Sequence, residues 1–278
     1  GMNHPGEMAY LASIAKANIA VVTNAQREHQ EFMQTVEATA VENGEVLAAL
    51  PPGGIAVFPS DDACAPIWRG IAGHRSTITF GLNPDADVYG QYRLTDQGSD
   101  ITIDTPMGRL DVKLNLLGIH NVKNALAATA VAISAGIDRQ AIVTGLASFS
   151  PLKGRGARLH LPSGALIIDE SYNANPDSVL AAIDSLALHA GERTLVLGDM
   201  GETGSNGRLF HEEVGRYAAE RGIDRLLTMG TLSKAATAAF NASPRSTACH
   251  FETAAALIEA VHDAAQRPAA VLLFKGSR

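Results

Sequence analysis

The rhythm of the second half constrains this chain most. Between residues 176 and 274, helical stretches and short apolar runs alternate four times. The helices are expected at 176–189, 209–221, 232–241 and 253–266, and the strands at 194–197, 225–229, 248–251 and 269–274. Runs such as AAVLLF are apolar at successive positions, so both faces of the strand must be covered. Alternating helices and buried strands of this kind build a parallel sheet with helices on its faces. Before them, residues 157–162 and 165–169 form a hairpin around Ser163-Gly164.

The first half reads differently. Residues 18–24 (NIAVVTN) make an apolar strand, and 27–50 a polar helical stretch ended by Pro51-Pro52-Gly53-Gly54. Residues 55–58 are a second strand, after which Asp61 and Asp62 are placed to cap a helix. Residues 77–116 break into short alternating segments split by Asp, Gly and Pro, the pattern of an antiparallel β-rich lobe. Helices follow at 120–135 and 138–149. The Pro/Gly-rich SPLKGRG at 150–156 is the expected boundary, giving domains 1–150 and 151–278. Aromatic residues are only 5% of the chain, so Ala, Val, Leu and Ile fill both cores.

Charge and cysteine content exclude several classes. The net charge is −7 and no Lys/Arg run occurs, which argues against a nucleic-acid partner. No stretch approaches the ~20 apolar residues of a membrane span, and no signal peptide opens the chain. Cys64 and Cys249 lie far apart with no metal-ligand spacing, as expected of free thiols in a reducing cytosol. Generic motifs are missing too. There is no G-x-x-x-x-G-K-[ST], no G-x-G-x-x-G after a strand, no H-E-x-x-H and no G-x-S-x-G.

Longer strings are more informative. DESYNANPDS at 169–178 follows a strand, which puts Asp169 at a strand's C-terminal end, where α/β sheets hold ligands. Tyr172, Asn173 and Asn175 add a phenol and two amides; Asn175 before Pro176 is equally the cap of a helix. With this string come, in order, GIHNVKNALAA (118–128) before it, Arg155 in the KGRG turn, LGDMGE (197–202) and FKGSR (274–278).

Together these strings resemble the Mur ligases, within them the branch that joins D-alanyl-D-alanine to a UDP-linked muramoyl tripeptide. Asn173 stands where the branch adding the third residue has a YAH-type string, and no DNPR-type string follows. The resemblance implies an α/β fold: part of a central ATPase domain with a β-rich lobe, then a Rossmann-like, mostly parallel C-terminal domain. It implies ATP and Mg2+ as cofactors, UDP-MurNAc-tripeptide and D-Ala-D-Ala as substrates, a cytoplasmic location and a monomer. It also implies that a P-loop and a metal-binding Glu precede Gly1 and that a final helix follows Arg278. On that expectation GMNHPGE is the end of a family string, and the 278 residues alone are inactive in ligation.

Residue by residue, the resemblance assigns His29 to a magnesium ion. It assigns Asn121 to the adenine, with Asn124 and His120 beside it, Arg155 to ATP phosphate and Asp169 to the ribose. Tyr172, Asn173 and Asn175 line the same cleft toward dipeptide or nucleotide. Lys275, Ser277 and Arg278 stand at a strand end facing substrate, with Arg155 and Lys275 as the catalytic candidates. One departure is clear. Many family members carry a carbamylated Lys in a KGE string, whereas this chain has Asn43-Gly44-Glu45, and asparagine cannot be carbamylated. Glu45 is left as a minor candidate. The competing readings are a non-catalytic α/β binding module, favoured by the missing P-loop string, and another Mur or folylpolyglutamate ligase, disfavoured by SYNANP.

Overall fold

The computed structural model describes residues 2–243 and 247–277, which form two compact units, 1–150 and 151–278. Each is built on a six-stranded sheet.

In the first unit the order is α1 (Glu7–Ala15), β1 (Ile19–Val21), α2 (Gln30–Met33), α3 (Val36–Ala48), β2 (Ile55–Pro59), α4 (Ala65–Ala72), β3 (Ser76–Gly81), β4 (Val88–Leu94), β5 (Ser99–Asp104), β6 (Leu110–Leu114), α5 (Ile119–Ser134) and α6 (Arg139–Ser148). The strands lie in sequence order. The pairs from β1 to β4 are parallel, and β4 to β6 pair antiparallel. The expected antiparallel lobe therefore needs correcting. Its first segment, β3, is a parallel strand, and the rest is an arm of the same sheet. On that arm β5 and β6 bury every second residue (Ser99, Ile101, Ile103; Leu110, Val112, Leu114), the pattern of strands with one covered face. The cover is α5 and α6, whose Val122, Ala125, Leu126 and Ala130 and whose Ile142, respectively, join one core with Ile101, Ile103 and Val112. Each large aliphatic group fully buried there contributes about 1.5–3 kcal/mol.

The opposite core gathers Ala40 and Leu47 of α3, Phe58 of β2 and Trp68 of α4. Trp68 is fully buried, and its indole N–H donates to the Ala40 carbonyl at 2.8 Å. Gly44 makes room for this packing, since a Cβ there would lie 2.4 Å from Ile71 Cδ1. The stretch 27–50 is not one helix. Gln34 takes φ 67°, and Thr35 starts α3 afresh by accepting the Ala38 N–H at 3.1 Å. Asp61 and Asp62 precede α4 without capping it. Asp62 instead accepts the Cys64 N–H at 2.8 Å, and Asp61 pairs with Lys123 at 3.2 Å.

The second unit runs β7 (Ala157–His160), β8 (Leu166–Asp169), α7 (Pro176–Ala187), β9 (Arg193–Leu197), α8 (Gly207–Glu220), β10 (Arg225–Met229), α9 (Ser233–Phe240), β11 (Thr247–Phe251), α10 (Ala254–Ala265) and β12 (Val271–Lys275). Spatially the strands run β11-β10-β9-β12-β8-β7, all parallel except the β7 edge. The last strand thus slots between β8 and β9. Its Leu272 and Leu273 are essentially solvent-free between those neighbours. α7, α8 and α9 carry the chain one way along the sheet and pack side by side, while α10 returns it and packs on β10, β11 and β12. Helices α8 and α9 touch at Gly215, where a Cβ would meet the Ala236 carbonyl oxygen at 2.2 Å.

Candidate functional site

The order of the second sheet brings the ends of β8, β12 and β9 side by side, so the strings DESYNANP, KGS and LGDMGE meet as three adjacent loops. Ser277 ties them. Its hydroxyl accepts the Gly201 N–H at 2.8 Å and faces the Ala174 carbonyl at 2.9 Å and Asn173 Oδ1 at 3.1 Å. Its own N–H donates to the Asp199 carbonyl at 2.9 Å. Gly198 and Gly276 let the backbones touch, since a Cβ on Gly276 would lie 3.2 Å from Gly198 Cα.

Asp169 closes β8. Its carboxylate accepts the Gly154 N–H at 2.9 Å, the Ser171 N–H at 3.1 Å and the Ser171 hydroxyl at 2.5 Å. Burial works to raise its pKa, but these bonds and the charge of Lys153 outweigh it and hold the carboxyl below its ordinary value. The adjoining turn positions Arg155, whose guanidinium lies over the Tyr172 ring at 4.0 Å. Tyr172 N–H donates to the Gly154 carbonyl at 3.0 Å, so turn and ring move together.

Lys275 is less accessible than a substrate-facing lysine, with its side chain only 5% exposed. Its ammonium donates to the carbonyls of Asn173 at 3.0 Å and Glu170 at 3.4 Å, and lies 3.9 Å from the Glu170 carboxylate. Burial lowers its pKa and the nearby Arg155 adds to that, while Glu170 opposes. Burial likewise raises Glu170, against the pull of Lys275 and Arg155. Buried Lys275 and half-buried Glu170 together brace the loop from below. Asn175 caps α7: its Oδ1 accepts the Ser178 N–H at 2.8 Å, and the Ser178 hydroxyl faces back to the Asn175 N–H at 3.0 Å. Arg278 lies outside the described residues, as does Gly1.

The first unit holds two further candidate places. A cavity of about 420 Å³ opens beside α5 and α6, lined by apolar groups such as Ala132, Ile142 and Phe149, with Asn121 and Asn124 also on its wall. Asn121 is engaged: it donates to the Leu117 carbonyl at 2.8 Å, its Nδ2 lies 3.0 Å from His120 Nε2, and its Oδ1 accepts Asn124 Nδ2 at 3.3 Å. Asn124 is exposed, so its amide is the one presented outward. The second cavity, about 350 Å³, is lined by Thr23, Asn24, Glu28, His29 and Asn43 among others. His29 takes the left-handed conformation, φ 52°, at the start of α2. Asn43 donates to Glu28 Oε1 at 3.3 Å and to the Asn24 carbonyl at 3.4 Å, so this amide braces the 24–29 loop. Glu45, in the same α3, is half-buried. Among the described residues no three His, Cys, Asp or Glu side chains converge as a metal cage. The residues present therefore do not by themselves fit the several oxygen ligands that Mg2+ requires. Cys64 is buried and Cys249 exposed, both free.

The strings did not single out Glu170 or His211, and they placed Ser277 facing substrate without showing that it ties three loops together. Glu170 and Ser277 lay inside strings already quoted; only their burial and partners were missing. His211 lies on a helix, outside every string, and carried no signal.

The chain matches the Mur ligase middle domain over residues 1–132 and the Mur ligase glutamate ligase domain over residues 154–278. It is 36% identical over 281 aligned residues to the UDP-N-acetylmuramoyl-tripeptide–D-alanyl-D-alanine ligase of Escherichia coli K12, covering 100% of this chain and 61% of that one. The crystal structure of MurF from Acinetobacter baumannii superposes with a TM-score of 0.92 at 31% identity, over 100% of this chain and 60% of that one. The MurF ligase structure from Thermotoga maritima in complex with ADP has a TM-score of 0.86 at 24% identity, a likeness of fold, and 62% of it is covered. The chain thus spans about three fifths of the length of the relatives it matches.

Proposed function

The chain belongs to the Mur ligase family, and from that premise we propose that it serves the ATP-dependent joining of D-Ala-D-Ala to UDP-MurNAc-tripeptide in peptidoglycan precursor synthesis. The relatives carrying that name are about a third identical to it along its whole length. The observation that carries the reading is the meeting of SYNANP, KGS and LGDMGE at one end of a parallel sheet.

The chemistry is amide formation. The tripeptide carboxylate takes the terminal phosphoryl group of ATP, releasing ADP. The dipeptide amine then attacks the acyl carbon, and inorganic phosphate leaves. Charge builds on phosphoryl oxygens, and a cationic group held ready nearby stabilises it without reorganisation. Arg155, stacked on Tyr172 at the exposed end of its turn, is assigned to that oxygen charge. Asp169, kept ionised by its hydrogen bonds, is assigned to the ribose hydroxyls, though three donors already occupy it. Tyr172 and Asn173 are assigned to the edge that meets the dipeptide. Lys275 and Asn175 are assigned to supporting that edge, one beneath the loop and one as the cap of α7.

In the first unit, Asn124 is assigned to the adenine edge with Asn121 as its brace, beside a cavity of suitable size and apolar lining. His29 is left without a metal role in this reading, because the described residues around it do not make up the oxygen-rich ligand set that Mg2+ requires. No helix among the described residues is long and apolar enough to cross a membrane. The soluble UDP-linked and dipeptide substrates fit a monomer working in the cytoplasm.

Calorimetry on the 278-residue chain tests the reading. D-Ala-D-Ala is expected to bind, L-Ala-L-Ala to bind at least about tenfold more weakly, a difference of ~1.4 kcal/mol. Equal affinity for both, or none for either, would sink the dipeptide assignment. Because these residues contain no P-loop string, binding without turnover by the 278 residues alone is expected. Phosphate release dependent on both substrates would overturn that part.

A further inference from the structure

Behind the loop that follows β9 stands a histidine that no family string includes. His211, on α8, is fully buried. Its Nε2 lies 3.0 Å from the Met200 N–H and its Nδ1 2.6 Å from the Gly207 carbonyl. A carbonyl can only accept, so Nδ1 carries the proton. An N–H can only donate, so Nε2 carries the lone pair. One tautomer of the neutral ring satisfies both contacts, and the imidazolium satisfies only one.

What this ring holds is the middle of residues 198–203. Asp199 anchors one side, its carboxylate accepting the N–H groups of Thr231, Leu232 and Ser233 at 2.7–3.0 Å. Gly201 anchors the other side through Ser277. Between them Met200 is buried, and its N–H has His211 as acceptor. A buried N–H left without one costs about 1–3 kcal/mol. The next residue but one, Glu202, sits at φ 53°, a conformation a non-glycine residue keeps only when its surroundings impose it.

We infer that His211 is a positioning residue for the site at the ends of β8, β9 and β12. Its neutral imidazole fixes Met200, and through Gly201 fixes the Ser277 hydroxyl and the Asn173 amide that Ser277 faces. The inference rests on the reading that this edge meets the dipeptide. It acts through three successive contacts: His211 to Met200, Gly201 to Ser277, Ser277 to Asn173.

The contact also makes the loop sensitive to acid. Burial lowers the pKa of His211, against the Gly207 carbonyl and the charge of Asp199, which favour the proton. Among the charged groups on the neighbouring helices, Asp184 of α7 pairs with Tyr217 and Arg221, Lys234 of α9 with Glu252, and Arg208 with Glu212. A depressed histidine favours the folded loop above its ordinary pKa and withdraws that support as pH falls through the folded value.

The test uses the ¹⁵N-labelled 278-residue chain. Imidazole nitrogen shifts at neutral pH should show the Nδ1–H tautomer; an Nε2–H ring overturns the inference without any mutation. His211→Leu should speed amide exchange at Met200 and Gly201 by about tenfold, the loss of one hydrogen bond, and weaken D-Ala-D-Ala. His211→Gln, whose amide can accept and donate at the same two places, should restore both. It should also remove the fall in dipeptide affinity between neutral and mildly acid pH. Unchanged exchange in folded His211→Leu, or the same pH dependence in His211→Gln, refutes the role. If the unaltered chain fails to bind D-Ala-D-Ala while the exchange results hold, the substrate reading fails and the bracing stands.

Discussion

Both units have a turn glycine pressed on backbone, Gly98 on Leu114 and Gly191 on Ala269, but they differ where a glycine lies inside a helix or at a sheet contact. In the first, the tight glycine of α3 faces the tip of Ile71, and Gly90 of β4 faces the side chain of Leu126. In the second, Gly215 faces the Ala236 backbone, and Gly198 and Gly276 face each other's main chain. A side chain can rotate away, whereas a backbone in a helix or sheet cannot. The same contrast runs through the candidate places. The larger cavity of the first unit offers apolar walls with amides on them, and the second unit offers loops knotted by individual hydrogen bonds. Packing errors should therefore be blunted in the first unit and transmitted in the second.

The largest expected effect is at Gly215. Gly215→Ala should cost the second unit about 2–3 kcal/mol in urea unfolding, against about 1 kcal/mol or less for Gly44→Ala in the first. Equal losses would break the comparison. Asp199→Ala should cost about 1–3 kcal/mol near neutral pH by stranding three N–H groups. The sign with pH follows from the carboxyl's depressed pKa, which burial opposes and the three N–H groups enforce. The stabilisation is full above the unfolded carboxylate value near ~4 and fades as pH falls through the folded one. The gap between Asp199→Ala and the unaltered chain should therefore close in acid, and a gap independent of pH would assign it to packing instead.

Smaller effects sharpen the picture of the sites. Arg155→Ala should weaken a non-hydrolysable ATP analogue about tenfold, near 1.4 kcal/mol, and leave D-Ala-D-Ala within about twofold. Equal losses for both ligands would remove Arg155 from phosphate. Smallest is Asn124→Ala, expected to weaken the analogue about threefold for one exposed amide contact. An effect larger than that of Asn121→Ala would confirm the outward amide as the reader and the inner one as its brace.

Much of the second unit was legible because local patterns and tertiary demands agree there. Runs such as VLLF are apolar at successive positions and lie in mid-sheet, and Asn175-Pro176 starts a helix as its chemistry dictates. The first unit hid more. Thr35 is a common residue, and nothing local says that it will interrupt a helix by capping a new one. Segment 77–81 has strand composition whichever neighbour it pairs with, so its parallel partners were invisible. The site was legible as strings and illegible as geometry. Lys275 reads as a free cation in sequence, yet the order of strands buries it beneath carbonyls. His211 became visible only when α8 folded its ring against a loop eleven residues earlier in the chain.

The placement of β12 carries a consequence for how the molecule is made. Every other strand of its sheet leaves the ribosome earlier, yet Val271 must pair with Leu166 on one side and Arg193 on the other. Until then β8 and β9 have a gap between them and two raw edges each seeking a partner. Closing it joins residues about a hundred positions apart, a slow, non-local step that leaves apolar strands exposed to aggregation meanwhile. Closure of the second unit's sheet therefore waits for β12, and a pause or a chaperone acting before that strand is available would act on the open slot.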